Sequence, residues 1–201
     1  GNGINISNNL AASIFNIDGN ASVDGTDLAS IAIATNAGSV RFNGSTRITR
    51  RLQEGILITD SSGPVQFGDT SADVTTILND DTTASQFAAM SFTGNSGGIS
   101  VQNARIENAQ GGAPGGAGVN IIDNTGAVSF GSMNVESFDG IGLFGLNNAS
   151  LSISGGIIAT DAAAAVDIEQ TGVNITLTSV TSTNSPDYGV RLVETNKDGF
   201  R

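Results

Sequence analysis

The chain has 201 residues, no cysteine, histidine or tryptophan, 27 glycines, and 8 Lys plus Arg against 19 Asp plus Glu, for a formal charge of −11. The missing side chains exclude a thiol nucleophile, a Cys/His zinc site, a Ser-His-Asp triad and a disulfide framework. The acidic balance argues against nucleic acid as a partner, because affinity for phosphate backbones rests on clustered Lys and Arg.

No run approaches the roughly 20 apolar residues of a membrane-spanning helix, and the first residues lack the basic start and apolar stretch of a secretion signal. With 38% hydrophobic and 13% charged residues the chain can bury a core, and one domain is expected at this length. Gly, Ala, Ser, Thr, Asn and Asp dominate while Leu, Lys and Glu are scarce, which favours short strands and tight turns over helices.

Taken in chain order, the first element begins loosely at Ile4 and Ile6 and reaches Ile14 or Phe15. Next comes Asn16 to Leu28, NIDGNASVDGTDL, whose oxygen side chains at Asn16, Asp18, Asn20, Asp24 and Asp27 have the alternate spacing of a loop that wraps a hard cation. The segment resembles a dockerin-type or EF-hand calcium loop, with those five residues as metal-ligand candidates. Two departures stand against it. Ala21 occupies the glycine position of the sharp turn, and Asp27 replaces the usual bidentate Glu. The preferred reading is an Asx-rich turn without a bound cofactor, calcium being the alternative.

Three segments then align without gaps: Ile31 to Phe42, Ile56 to Phe67 and Val119 to Phe130. Each has an apolar pair two residues apart, a turn with Gly38, Gly63 or Gly126, and a second alternating pair ending in Phe. Period-two alternation predicts strands with one buried face. The frame recurs with small changes. Met90 and Phe92 lead through Gly97 to Ile99 and Val101, Ile141 and Leu143 through Asn148 to Leu151 and Ile153, and Val166 and Ile168 through Gly172 to Ile175 and Leu177. An eighth frame begins at Val190 and Leu192.

A third apolar site follows in most frames, at Ile48, Val74, Ile106, Val135, Ile158 and Val180. Three short strands per repeat cannot bury their apolar faces alone, so the repeats must stack. Stacking predicts inward ladders, with Ile31, Ile56 and Val119 on equivalent rungs, Phe42 directly on Phe67, and Phe15 and Phe130 in the same column. A sandwich would not require Gly and Phe at matched offsets, and a propeller blade needs about 40 residues.

This pattern of apolar pairs around a Gly or Asn turn resembles the right-handed parallel β-helix superfamily, which includes pectate-lyase-like carbohydrate enzymes, phage tailspikes and bacterial surface proteins. The expected fold is all-β: a right-handed parallel β-helix solenoid of three short strands per coil and about seven to eight coils, forming one segment over residues 1–201. The absence of an initiator Met and of capping repeats leads to the expectation of a longer parent chain.

For catalysis the best constellation is Asp167 and Glu169, which flank inward Ile168 and share an outer face at a spacing of about 7 Å that suits an acid and a base on a glycosidic bond. Arg191 falls one coil away in Asp167's column, so an ion pair is the competing reading. Arg41, Arg47, Arg50 and Arg51 form the densest positive group and read as a solvated edge neutralised by Glu54 and Asp60. Two coils carry excess length: Gly68 to Gln86, with Asp69, Asp73, Asp80 and Asp81, and the glycine-rich Asn108 to Gly118. Such excursions are where solenoids bind partners.

The functional expectation is a non-catalytic structural or adhesive segment of a bacterial extracellular or cell-surface protein. Its expected partners are further coils or copies of itself end to end, with surface glycan as a further candidate. The alternatives are a carbohydrate-active lyase or glycosidase, a glycan-binding β-helix, or a phage fibre or tailspike segment.

Overall fold

The computed structural model describes residues 1–26, 28–50, 53–79, 87–109 and 116–200. They form a parallel β-solenoid of about seven turns with about three strands per turn. The first face is an eight-stranded parallel sheet made of Ile4–Ser7, Ile31–Ala34, Ile56–Thr59, Met90–Thr93, Val119–Ile122, Leu143–Leu146, Val166–Glu169 and Val190–Val193. Seven of these eight start where the repeat frame predicts. The second and third faces belong to one 13-stranded sheet, joined where the 11-residue strands Ile99–Ala109 and Ala127–Ser137 run through both.

Equivalent strands pair in parallel, so each inward side chain stacks on its counterpart about 4.8 Å away. Ile31 pairs with Ile56 and Met90 with both Ile56 and Val119. Ile31, Ile56 and Val119 are all 0% exposed, as the register requires. On the second face, Phe42 and Phe67 stack with ring centroids 4.6 Å apart and planes 9° from parallel. Phe130 lies in their column across Val101, and its ring faces Phe92 of the first sheet at 6.3 Å.

Four register expectations change. Phe15 pairs with Val40, so Ile17 stands in the phenylalanine column and Phe15 is left partly exposed. In the sixth coil the inward pair is Leu143 and Gly145, not Ile141 and Leu143, because Leu143 pairs with Val119. In the seventh coil Val173 and Ile175 stack on Leu151 and Ile153, which leaves Leu177 beyond the second-face strand. On the third face Ile77 replaces Val74 beneath Ile48, because the turn after Gly68 delays the strand to Thr75–Asn79. In each case turn length sets the phase of the following strand, and alternation alone cannot fix it.

The corner between the first and second faces repeats in every coil. The residue after each first-face strand adopts left-handed backbone: Asn8, Thr35, Asp60, Gly94, Asp123, Asn147, Gln170 and Glu194, with φ between 46° and 69°. This bends the chain from one face to the next and turns the next residue inward. Those residues form a buried polar column of Asn36, Ser61, Asn95, Asn124, Asn148 and Thr171. Asn124 Oδ1 accepts from the Asn95 backbone N–H at 3.0 Å and from its Nδ2 at 2.8 Å. Asn148 Oδ1 accepts the same pair of bonds from Asn124, each at 3.0 Å. The column satisfies backbone groups that a buried corner would otherwise orphan. Two residues beyond it, Gly38, Gly63, Gly97 and Gly126 stack so closely that a Cβ on any of the last three would overlap the carbonyl of the glycine one coil earlier.

Candidate functional site

Strand alternation places Asp167 and Glu169 on the outer surface of the first sheet, on either side of buried Ile168. Parallel pairing puts Arg191 beside Asp167. Its Nη1 donates to Asp167 Oδ1 at 2.9 Å, and its Nη2 pairs with Glu169 Oε1. Tyr188, in the turn before the last first-face strand, donates its hydroxyl to Asp167 Oδ2 at 2.8 Å. The guanidinium also sits over the Tyr188 ring, 5.7 Å from its centroid.

The ion pair expected from the columns is therefore present, but it is not a screened surface pair. Asp167 is only 5% exposed, because the Tyr188 turn lies against it. Hydrogen bonds from Arg191 to Asp167 and then to Glu169 raise the guanidinium pKa. Burial, followed by the hydrogen bond to Asp167, pushes the Tyr188 hydroxyl above its ordinary value. Chemically, both oxygens of Asp167 are engaged, and Glu169 shares the same cation, which offsets one of the two negative charges. Tyr188 is the member of the group that sequence reading misses. Its only signal was being the single tyrosine of the chain, which says nothing about the carboxylate it reaches.

The other sequence candidates are spread over the molecule. Asn16 lies in the strand Ile14–Ile17 beside Arg41, Asp18 and Asn20 in the following turn, and Asp24 in the strand Ala21–Thr26. Asp27 lies outside the described residues. Asp18 Oδ1 accepts from Asn43 Nδ2 at 2.6 Å and Asn20 Oδ1 from the Ser45 N–H at 3.1 Å. Two of the candidate metal-ligand oxygens thus tie the first coil to the second. Among the described residues, no group of three or more acidic side chains is placed to hold a metal ion.

The arginines divide between faces, with Arg41 on the second and Arg47 on the third, while Asp60 stands in the corner after the first. The Arg50 side chain and Arg51 lie outside the described residues. In the long third coil, Asp73 Oδ2 accepts from the Thr70 N–H at 2.9 Å, the Thr70 hydroxyl at 2.8 Å and the Asp69 N–H at 3.2 Å. These bonds, the Thr70 backbone first, lower its pKa. Asn103 Nδ2 ties the same turn to the fourth coil by donating to Ser71 O at 3.0 Å and Asp73 O at 2.9 Å. Asp80 and Asp81 lie outside the described residues, as do residues 110–115 of the glycine-rich excursion.

In comparisons with protein-family models, curated proteins and solved structures, the chain matches none.

The third face carries a shallow groove of about 450 Å³ lined by Arg105, Glu107, Asn134, Glu136 and Ile157. Arg105 is ion-paired with Glu107, and Asn134 Oδ1 accepts from the Ile157 N–H at 3.2 Å. No repeat signal in the sequence marks this groove, since its residues occupy outward positions with no shared type.

Proposed function

We infer that the chain is a non-catalytic structural or adhesive segment of a bacterial extracellular protein, a stiff solenoid that holds its outward turns at fixed spacing. Its repeat pattern and stacked parallel sheets resemble those of the right-handed, pectate-lyase-like β-helices. The observation that carries the reading is the occupancy of Asp167 and Glu169. The carboxylate pair best placed to act as acid and base is held by Arg191 and Tyr188, with Asp167 shielded from water. A general acid or base works through an oxygen within hydrogen-bond reach of the proton it transfers; both oxygens of Asp167 are bonded to Arg191 and Tyr188 instead, and Glu169 is tied to the same guanidinium through Oε1.

Stiffness is supported by the column of Asn side chains and by the stacked Phe and Ile ladders, which link each coil to its neighbours throughout the core. Eight first-face strands at the usual inter-strand spacing give a sheet roughly 34 Å long.

The test is a panel of acidic and neutral polysaccharides assayed in parallel for binding and for bond cleavage. No cleavage is expected. Turnover that Asp167→Asn abolishes while the variant still folds would overturn the reading in favour of a carbohydrate-active enzyme.

A further inference from the structure

Where the chain passes from the third face back to the first, the turns leading into Leu143, Val166 and Val190 border an open pocket of about 290 Å³. Its floor is aliphatic. Ala163 and Ala164 are buried and Ile141 is half-buried. The alanine run is held from below, since Thr160 Oγ1 and Ser182 Oγ both donate to the Ala163 carbonyl at 2.8 Å. Ala162 takes the left-handed backbone at φ 62°, with its N–H donating to Thr183 O at 2.7 Å. One wall is Tyr188, fixed by its hydroxyl bond to buried Asp167 and by Arg191 over its ring. Ser185 Oγ closes that turn by donating to Tyr188 O at 2.6 Å.

The rim differs from every other acidic position near it. Asp161 accepts from Asn184, and Asp167 and Glu169 hold Arg191. Asp139 and Asp187 line the pocket, are exposed, and have no hydrogen bond or ion pair with any described residue. A floor of methyl groups, a fixed aromatic wall and two unpaired carboxylates at the mouth match one ligand chemistry: an aliphatic stem ending in a cation. The stem removes apolar surface from water against the methyl groups and the side of the Tyr188 ring, and the charge meets the two carboxylates. A protein of net charge −11 also concentrates cations at its surface. The groove on the third face lacks this match, because no aromatic residue lines it and its own arginine stands beside Glu107 and Glu136 at its wall.

We propose that this pocket is a binding site for an alkylammonium group, carried by a free polyamine or by a lysine side chain of a partner protein. The site does not depend on the structural or adhesive reading. It tests on the intact 201-residue chain, whose one tyrosine and absent tryptophan make Tyr188 emission a local reporter. Pentylammonium, cadaverine and neutral pentanol are titrated while following that emission and the NMR shifts of the Ala163 and Ala164 methyl groups. Both amines should give a saturable response, and pentanol none over the same range. Asp139→Asn with Asp187→Asn, on exposed turns, should weaken amine binding about fivefold or more without altering the amine-free emission. Pentanol binding as well as pentylammonium, or a double variant that binds like the parent, overturns the site. A capped lysine peptide binding more tightly than cadaverine assigns a protein partner, and the reverse order assigns a free amine.

Discussion

Two glycines that look alike in the sequence have opposite structural roles. Gly63 lies in the close-packed corner, where an added Cβ would overlap the Gly38 carbonyl. Gly145 takes an inward strand position between Ile121 and Ile168, and an added Cβ would meet Ile168 carbons at 3.5 Å, an ordinary contact. Gly63→Ala should cost about 3 kcal/mol or more through overpacking of backbone that cannot yield. Gly145→Ala should gain about 0.4 to 1 kcal/mol by restricting the unfolded chain. Denaturant midpoints that fail to move in opposite directions would refute this packing. Asn124 makes the second case. Alanine there strips the acceptor from two buried Asn95 donors, an expected loss of about 2 to 5 kcal/mol. The glycine offsets were legible because they recur at Gly38, Gly63, Gly97 and Gly126. The polar column was not, because Ser61 and Thr171 break the run of asparagines and the bonds join residues a whole coil apart.

At the scale of strands and turns, alternation carried most of the fold. It placed Asp167 and Glu169 on one face and Arg191 in the adjoining rung, as found. What alternation cannot count is the length of a turn, and each register error follows one: Ile17 for Phe15, Leu143 for Ile141, Val173 for Leu177, Ile77 for Val74. The Tyr188 turn was illegible for the same reason, since its path over the sheet is set by packing and not by period.

That turn yields a pH prediction. Burial and the neighbouring Asp167 make the Tyr188 anion harder to form in the folded protein than in the unfolded chain. Its contribution to stability is therefore fully present below the unfolded value near about 10 and is lost as pH rises through the higher folded value. The absorbance titration of this single tyrosine should have its midpoint above that value. Asp167→Asn should lower the midpoint and Arg191→Gln should raise it, because the carboxylate disfavours the phenolate and the guanidinium favours it. Equal midpoints in the parent and both variants would mean that the three groups do not interact in solution.

For the whole molecule, the stacking that buries the central coils also decides how the 201-residue chain behaves in isolation. Along the first sheet the inward column is closed on both sides from Ile31 to Ile168, whose side chains are 0% exposed. The next rung continues the same columns, with Val190 on Val166 and Leu192 on Ile168, yet Val190 is 43% and Leu192 38% exposed. These side chains belong to the core pattern, but among the described residues they have a strand neighbour on one side only, and the strand that carries them has one unpaired edge. An apolar core surface next to open backbone donors and acceptors favours a further strand in parallel register. Sedimentation velocity at rising protein concentration should therefore show reversible association. Leu192→Lys should suppress it, because a charge in that column makes the added rung bury an ammonium group without a partner. The outward Arg191 network should be spared, so Tyr188 emission should remain that of the parent. A chain that stays monomeric at every concentration, or a Leu192→Lys variant that associates like the parent, would show that this surface does not recruit a further rung.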